Sequence, residues 1–444
     1  MEKRSSIYSG RPDLKFAFDM CGWSELIGQL PNNDQHRLYR RSVYKPLGSK
    51  AAVSKYHLLQ EAMVGRALWR IKQNRGRNLS QDFKTQTGGL ILRILYDYKL
   101  DPYASDPLIT LADRALDQFS QATVPGRWLV DLIPIIAHTP EWFPGVEFKR
   151  LARIWRRTLL KSVNIPYNFA KKQKDGNPTG LSFVSQAIDQ AKADNGGSEL
   201  TEEQERAIKY SAVSMYVAGQ DTSALTMNSF FLAMSMFPEV QHKAQEEIDN
   251  IVGTGRLPTF SDREQLGYID LIVDEALRWH PLVPMSLPHA SDKDDVINGY
   301  HIPKRSILMP NEWWFTRNPE VYHDPESFKP ERYREPYVEP SPTDFVFGFG
   351  RRVCPGRFLA TSTLFLTCAQ VLAVFNIRPA RDEDGKEVEN LHTFSPGLIA
   401  QLGPFKVDVT PRSEAHAAMI DQLMEKFPWE ESNSNDLVGL EDPE

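Results

Sequence analysis

Apolar positions along this chain recur mostly at intervals of three and four residues, and segments with that helical period far outnumber the short alternating ones that read as strands. No stretch repeats, and none is of low complexity. The pattern predicts a mainly α fold with small β-sheets, built as one domain over residues 1–425 and followed by an acidic, polar tail over 426–444 that frays. Its clearest helix runs from Thr201 to Phe237. Thr201 and Gln204 have capping-box spacing, no proline interrupts the run, and Pro238 closes it. Loops are expected at Lys171–Thr179, where Lys, Asp, Gly, Asn and Pro cluster, and at Asp194–Ser198, around Asn195, Gly196 and Gly197. Another helix carries Glu275 and Arg278, three apart and so on one face, and stops at Pro281. The stretch Phe358–Ile377 carries no charge and has the length of a membrane span. Ser362, Thr363, Thr367 and Gln370 interrupt it, so a buried core helix is expected there instead.

Immediately before that apolar helix stands Phe347-Gly348-Phe349-Gly350-Arg351-Arg352-Val353-Cys354-Pro355-Gly356. Cysteine binds a metal as the thiolate, and neighbouring guanidiniums together with the positive end of a helix dipole favour that form. Pro355 and Gly356 suit a helix start, while Gly348 and Gly350 let backbone approach a flat ligand where a Cβ would collide. The loop therefore reads as a thiolate held for a haem. A lone cysteine is also commonly a small buried apolar side chain, and a glycine-rich loop can cradle a dinucleotide. The dinucleotide reading fails because Val353 stands where G-x-G-x-x-G needs its last glycine. A second constellation, Ala218-Gly219-Gln220-Asp221-Thr222-Ser223, lies inside the long helix. Glycine costs about 1 kcal/mol relative to alanine in a helix interior, so something compensates for Gly219. On the residues alone, this is a small-residue helix crossing with a hydroxyl bonded to the preceding turn.

Taken together, these segments resemble the cytochrome P450 monooxygenases. The F-x-x-G-x-R-x-C-x-G signature of that family is matched by Phe347, Gly350, Arg352, Cys354 and Gly356, and its A-G-x-D/E-T-T/S run by Ala218–Ser223. Glu275 and Arg278 match its E-x-x-R pair, and Pro330-Glu331-Arg332-Tyr333 its second arginine motif, with Tyr333 where phenylalanine is common. The resemblance implies a cytochrome P450 fold and haem b, with Cys354 as axial ligand to the iron. It implies that Gly219 leaves room for dioxygen, and that Asp221 and Thr222 form the acid and alcohol pair relaying protons to it. Glu275, Arg278 and Arg332 are implied to form a buried network supporting the cysteine loop. For the haem propionates it implies Arg352, His289 after Leu287-Pro288, and His36 with Arg37, which resemble the end of the family's W-x-x-x-R helix although Asn33 occupies the tryptophan position.

Ala122-Thr123-Val124-Pro125-Gly126, Pro140-Glu141-Trp142-Phe143-Pro144-Gly145 and Gly299-Tyr300-His301-Ile302-Pro303 resemble the fungal, mushroom-type O-methylsterigmatocystin oxidoreductase-like monooxygenases. That likeness implies oxidation of an apolar small molecule in secondary metabolism, a terpenoid and foremost a sesquiterpenoid. Pocket walls are expected from the long helix upstream of Gly219, from Val283–Leu287 and from Ser395-Pro396-Gly397-Leu398.

Composition narrows the picture further. A chain of 444 residues, 41% hydrophobic, can bury a large core around a cofactor. A net charge of −6 offers nucleic acid no overall attraction. The three cysteines, Cys21, Cys354 and Cys368, are too few and scattered for a disulfide framework or a zinc site of paired C-x-x-C spacing, which fits a cytosol-facing setting. With no flavin or nicotinamide fingerprint, electrons are expected from a separate NADPH-cytochrome P450 reductase, with O2 as cosubstrate. The resemblance begins at once, in Glu2–Ser9, a region that in the family follows a membrane anchor, a proline-rich hinge and the first strands. The expectation is that anchor and first strands are missing here. Full-length relatives sit on the cytosolic face of the endoplasmic reticulum, whereas this chain is expected to be cytoplasmic or peripherally bound. Two rival functions stay open: an oxygen-independent haem-thiolate isomerase or dehydratase, and an inactive haem-binding remnant.

Overall fold

Fourteen α-helices are present among the described residues of the computed structural model, which are 1–102, 105–176, 182–395 and 397–440. In chain order they are α1 Asp34–Leu47, α2 Lys50–Ser54, α3 His57–Asn74, α4 Leu79–Tyr96, α5 Pro107–Ala122, α6 Leu129–Leu132, α7 Glu147–Gly176, α8 Phe183–Asp194, α9 Glu202–Met236, α10 Pro238–Ile251, α11 Gly267–Trp279, α12 Glu312–Phe315, α13 Arg357–Val374 and α14 Glu414–Lys426. Three antiparallel two-stranded ribbons complete the fold: β1 His289–Ala290 with β4 Ile307–Leu308, β2 Asp295–Ile297 with β3 Tyr300–Ile302, and β5 Phe375–Pro379 with β6 Val407–Pro411.

Helix α9 forms the axis, packing along α4 and touching α1, α5, α7, α8, α10, α11 and α13. Thr201 caps it as expected, its hydroxyl accepting from Gln204 N while the Gln204 side chain accepts from Thr201 N. The helix passes through Gly219 unbroken. A Cβ there would stand 3.1 Å from Ile91 Cγ1 on α4, so the missing side chain lets two long helices approach closely, and that packing offsets the cost of the glycine.

Helix α13 is almost entirely buried, and each polar residue that separated it from a membrane span has a partner. The Ser362 and Thr363 hydroxyls donate to Gln60 Oε1 (2.8 and 3.0 Å), Thr367 accepts from Gln86 Nε2 (2.8 Å), and Gln370 donates to the Pro258 carbonyl (2.9 Å). The helix ends at Val374 and the chain turns straight into β5.

Beside α11, Glu275 accepts two 2.8 Å hydrogen bonds from Arg278 and one of 3.1 Å from Arg332, which also reaches Glu339 at 2.6 Å. All four side chains are buried. Tyr333 is more than a neutral replacement, because its hydroxyl donates to Glu275 Oε2 at 2.8 Å.

Two expectations about loops need correction. Helix α7 continues through Gly176, where a loop was expected from Lys171, because Phe169 and Ala170 are buried and Lys174 pairs with Asp189 of α8 at 2.5 Å. Residues 177–179 lie outside the described residues. Residues 427–440 of the tail, where fraying was expected, lie with their acidic and aromatic groups against a basic surface. The Trp429 ring faces the guanidiniums of Arg66 and Arg70 (4.9 and 5.1 Å), Glu430 pairs with Arg93 at 3.1 Å, Asn433 N donates to the Lys99 carbonyl, and Leu437 is buried.

Candidate active site

Cys354 stands three residues ahead of the first residue of α13, whose N-cap is Gly356. Its amide donates to the Phe347 carbonyl at 2.7 Å, tying the two ends of the loop together, while the Phe347 ring packs on the core around α13. Gly348 and Gly350 have φ of +78° and +50°, left-handed conformations that favour glycine. At Gly350 the close neighbour is the N-terminal segment: a Cβ would lie 2.8 Å from Ser5 Cβ, and its amide donates to the Glu2 carboxylate. Burial pushes the Cys354 thiol up, against the pull of the Gly356 and Arg357 amides and the Arg40 and Arg357 charges. The expected lowering by nearby cations is thus real in sign but outweighed by burial in the metal-free protein.

Around this loop lies a set of buried and half-buried cations, of which Arg352 feels the charge of Asp292 without pairing with it. Arg352 donates to the carbonyls of Ser9 (2.8 Å), Ile27 (3.3 Å) and Leu30 (2.7 Å). Arg11, which the sequence did not single out, donates to those of Gly28 (2.6 Å), Leu287 (3.0 Å) and Pro288 (2.7 Å). Arg40 reaches the Val353 carbonyl at 2.6 Å. Among the described residues no carboxylate forms an ion pair with any of the three. Burial, then the charge of Arg352, holds Arg11 down to about 9, and burial with Arg40 holds Arg352 at about 10. His36 and His289 share the site. Burial first, then the surrounding guanidiniums, lowers them to about 3 and about 4. His289 faces the Tyr8 carbonyl at 2.6 Å, and His36 Nε2 is buried without a hydrogen-bond partner.

Arg37 does not join this cluster. It lies exposed on α1 beside Asp34, while Arg40, one turn beyond His36 on the same face, takes the place expected of it. Asn33 caps α1, its side chain accepting from His36 N at 2.9 Å, which accounts for a polar residue where the family has tryptophan. Like charges crowded out of water call for an anion, and the two carboxylates of a haem suit a patch built of guanidiniums, imidazoles and one orphaned nitrogen beside a single cysteine. The residues fit that group.

On α9, Asp221 and Thr222 do not come together, since adjacent helical positions diverge by about 100°. The Thr222 hydroxyl donates to the Ala218 carbonyl at 3.0 Å and remains accessible. Asp221 is buried, with Lys84 of α4 at 3.4 Å, and Lys84 in turn meets Asp113 of α5 at 3.1 Å. Burial raises the Asp221 carboxyl, the Lys84 charge opposing. Lys84 and Asp113 carried no sequence signal, because only the crossing of α4, α5 and α9 joins them. Just outside two of the three expected wall segments, Ala400 N donates to the Leu282 carbonyl at 2.8 Å. Gly397 approaches Ser120 of α5, and Pro396 lies outside the described residues.

The chain is similar over most of its length to known proteins. The Cytochrome P450 family profile matches residues 17–407. The cytochrome P450 monooxygenase ppsD of Aspergillus oryzae is 40% identical over 445 residues, covering 99% of this chain and 83% of the relative. The multifunctional cytochrome P450 monooxygenase af510 of Aspergillus fumigatus is 39% identical over 425 residues, covering 95% and 79%. O-methylsterigmatocystin oxidoreductase of Aspergillus flavus is 35% identical over 440 residues, covering 98% and 81%.

Proposed function

The chain belongs to the cytochrome P450 family and is a monooxygenase-type oxidoreductase, and from that premise we propose that it holds haem b through Cys354 and oxidises an apolar terpenoid, a sesquiterpenoid foremost, in fungal secondary metabolism. The observation that carries the cofactor assignment is the uncompensated cluster of Arg11, Arg40, Arg352, His36 and His289 beside the cysteine loop. Arg11 and Arg352, with the two histidines, would hold the propionates, and Arg40 and the helix-start amides favour the thiolate. When bound, the haem supplies the activation of dioxygen with electrons from NADPH, delivered by a separate reductase.

The protein's own residues do the rest. Thr222 offers an accessible hydroxyl on α9, one turn beyond Ala218, where it can hold a proton at its oxygen. Asp221, raised by burial and steadied by Lys84, keeps an acid just behind it, and Asp113 links that pair toward solvent. Val283 and Leu287, with Leu398, present apolar surface that favours a hydrocarbon skeleton and excludes water. Attachment to the cytosolic face of the endoplasmic reticulum, as expected of relatives, is supported by the exposed Leu132, Ile135, Trp142 and Phe143 between α5 and α7.

Purified protein supplied with haem, reduced and exposed to carbon monoxide is expected to show a thiolate-type Soret band. Cys354→Ser should lose that band while keeping its far-ultraviolet helix signal, and Thr222→Ala should keep it but consume NADPH without matching product. A wild-type chain that takes up no haem, or a Cys354→Ser variant with an unchanged band, overturns the assignment.

A further inference from the structure

Glu312 opens α12, where a glutamate ordinarily faces water and favours the helix dipole. Here the arrangement is inverted: Glu312 is 3% exposed, whereas Trp314 two residues on is 51% exposed. A carboxyl placed indoors needs a reason. The element it packs against is the segment Leu282–Pro288, because the next amide, Trp313 N, donates to the Pro284 carbonyl at 2.9 Å. That segment is pinned at both ends, the Leu282 carbonyl accepting from Ala400 N and the Leu287 and Pro288 carbonyls from Arg11. Between the pins it makes a tight turn, closed by Ser286 N donating to the Val283 carbonyl at 2.7 Å. Ser286 takes φ of +54° there, a left-handed conformation that a serine holds only where its surroundings enforce it. Its hydroxyl is the polar side chain beside Glu312, the one group that draws the Glu312 carboxyl down.

We propose that Glu312 is a positioning residue, holding the Ser286 turn so that the Val283–Leu287 wall keeps one shape and thereby setting how tightly a bulky substrate is bound; this rests on reading that segment as a wall of the substrate pocket. The carboxyl does so as a neutral acid. Burial pushes it up to about 8, with only Ser286 pulling the other way. The charged and titratable groups of the packed elements have other neighbours: Arg317 pairs with Glu326 at 3.4 Å, although its Nε and His392 Nε2 are buried without a hydrogen bond. Arg317 stacks on Trp313 and donates to the Trp279 carbonyl at 2.7 Å, His280 joins Ser229 and the Ala400 carbonyl, His392 stacks on Trp279, and Arg11 serves the carbonyls of Gly28, Leu287 and Pro288. Among the described residues no cation forms an ion pair with Glu312, and no charge acts on its carboxyl. Once the proton leaves, the carboxylate has to be reached by water, and the wall is what stands in the way.

The test uses haem-loaded protein and two nitrogen ligands read by difference spectra, bulky clotrimazole and small imidazole, with imidazole corrected to its neutral form. Wild type is expected to lose about tenfold in clotrimazole affinity between pH 7 and pH 9, the scale of one buried hydrogen bond, with imidazole affinity unchanged. Glu312→Gln, which keeps size and hydrogen bonding but cannot ionise, should bind clotrimazole as tightly at pH 9 as at pH 7. Glu312→Leu should be weakened at both. A pH step that persists in Glu312→Gln, or a wild-type profile that is flat, overturns the proposal. Failure of wild type to take up haem or bind either ligand overturns the cofactor assignment instead.

Discussion

Two groups of buried arginines sit in this molecule, and they differ in how their charge is met. Arg278 and Arg332 face Glu275, with Glu339 completing the set, so every guanidinium has a carboxylate within hydrogen-bond reach. Burial pulls Arg278 down, but Glu275 more than restores it, and the net shift is upward. Arg11, partly buried, and Arg352, buried, donate to carbonyls and form no ion pair, and both are held down, Asp292 only weakly opposing at Arg352. The first group is finished when the chain folds. The second, on the function proposed above, is completed only by an anion from outside the chain.

The contrast can be tested most severely at Glu275. Glu275→Ala leaves Arg278 buried without a counter-charge and Arg332 with Glu339 alone, and should cost about 3–5 kcal/mol, enough to leave little folded protein in a denaturant titration. At the edge of the same network, Tyr333→Phe removes one hydroxyl donor and should cost about 1 kcal/mol by the same titration, with haem uptake unaffected. A Tyr333→Phe loss near zero would return that residue to a mere substitute for phenylalanine.

The second group is expected to answer in the opposite sense. His36→Leu deletes a buried nitrogen that has no partner, so the haem-free protein should be no less stable, by up to about 1 kcal/mol more so, while haem dissociates faster from the loaded protein. Its pH profile sharpens the point. His36 and His289 have folded-state values depressed to about 3 and about 4, so folding resists their protonation. The stability they contribute is full above the ordinary imidazole range near 6.5 and is lost as pH falls toward 4. Thermal unfolding of the haem-free protein should therefore worsen across that window, less steeply in His36→Leu. Equal acid slopes in the two proteins would remove His36 from the cluster.

How far the sequence carried this picture depends on whether the deciding partner lay nearby in the chain. The α9 cap was readable because Thr201 and Gln204 are three residues apart, and the core helix α13 because four polar residues break an apolar run. The network partners Glu275, Arg278 and Arg332 were readable as motifs. Arg11 was not, since its meaning depends on carbonyls 17 and 276 residues away. The choice between Arg37 and Arg40 turned on helix phase: His36 and Arg40 share a face, and Arg37 does not. Gly219 was marked as room for dioxygen and Gly350 for the approach of a flat ligand, and the groups a Cβ would meet there are Ile91 and Ser5. Residues 427–440 looked mobile by composition, and only the basic surface of α3 and α4 gives their charges a place to rest.

The studs along α13 carry a consequence for synthesis on the ribosome. Gln60, Gln86 and Pro258, which receive Ser362, Thr363, Thr367 and Gln370, all precede residue 357. By the time this greasy rod leaves the exit tunnel, its socket has already been translated. The four polar teeth then admit it in one register and reward docking over wandering into a bilayer or a neighbouring nascent chain.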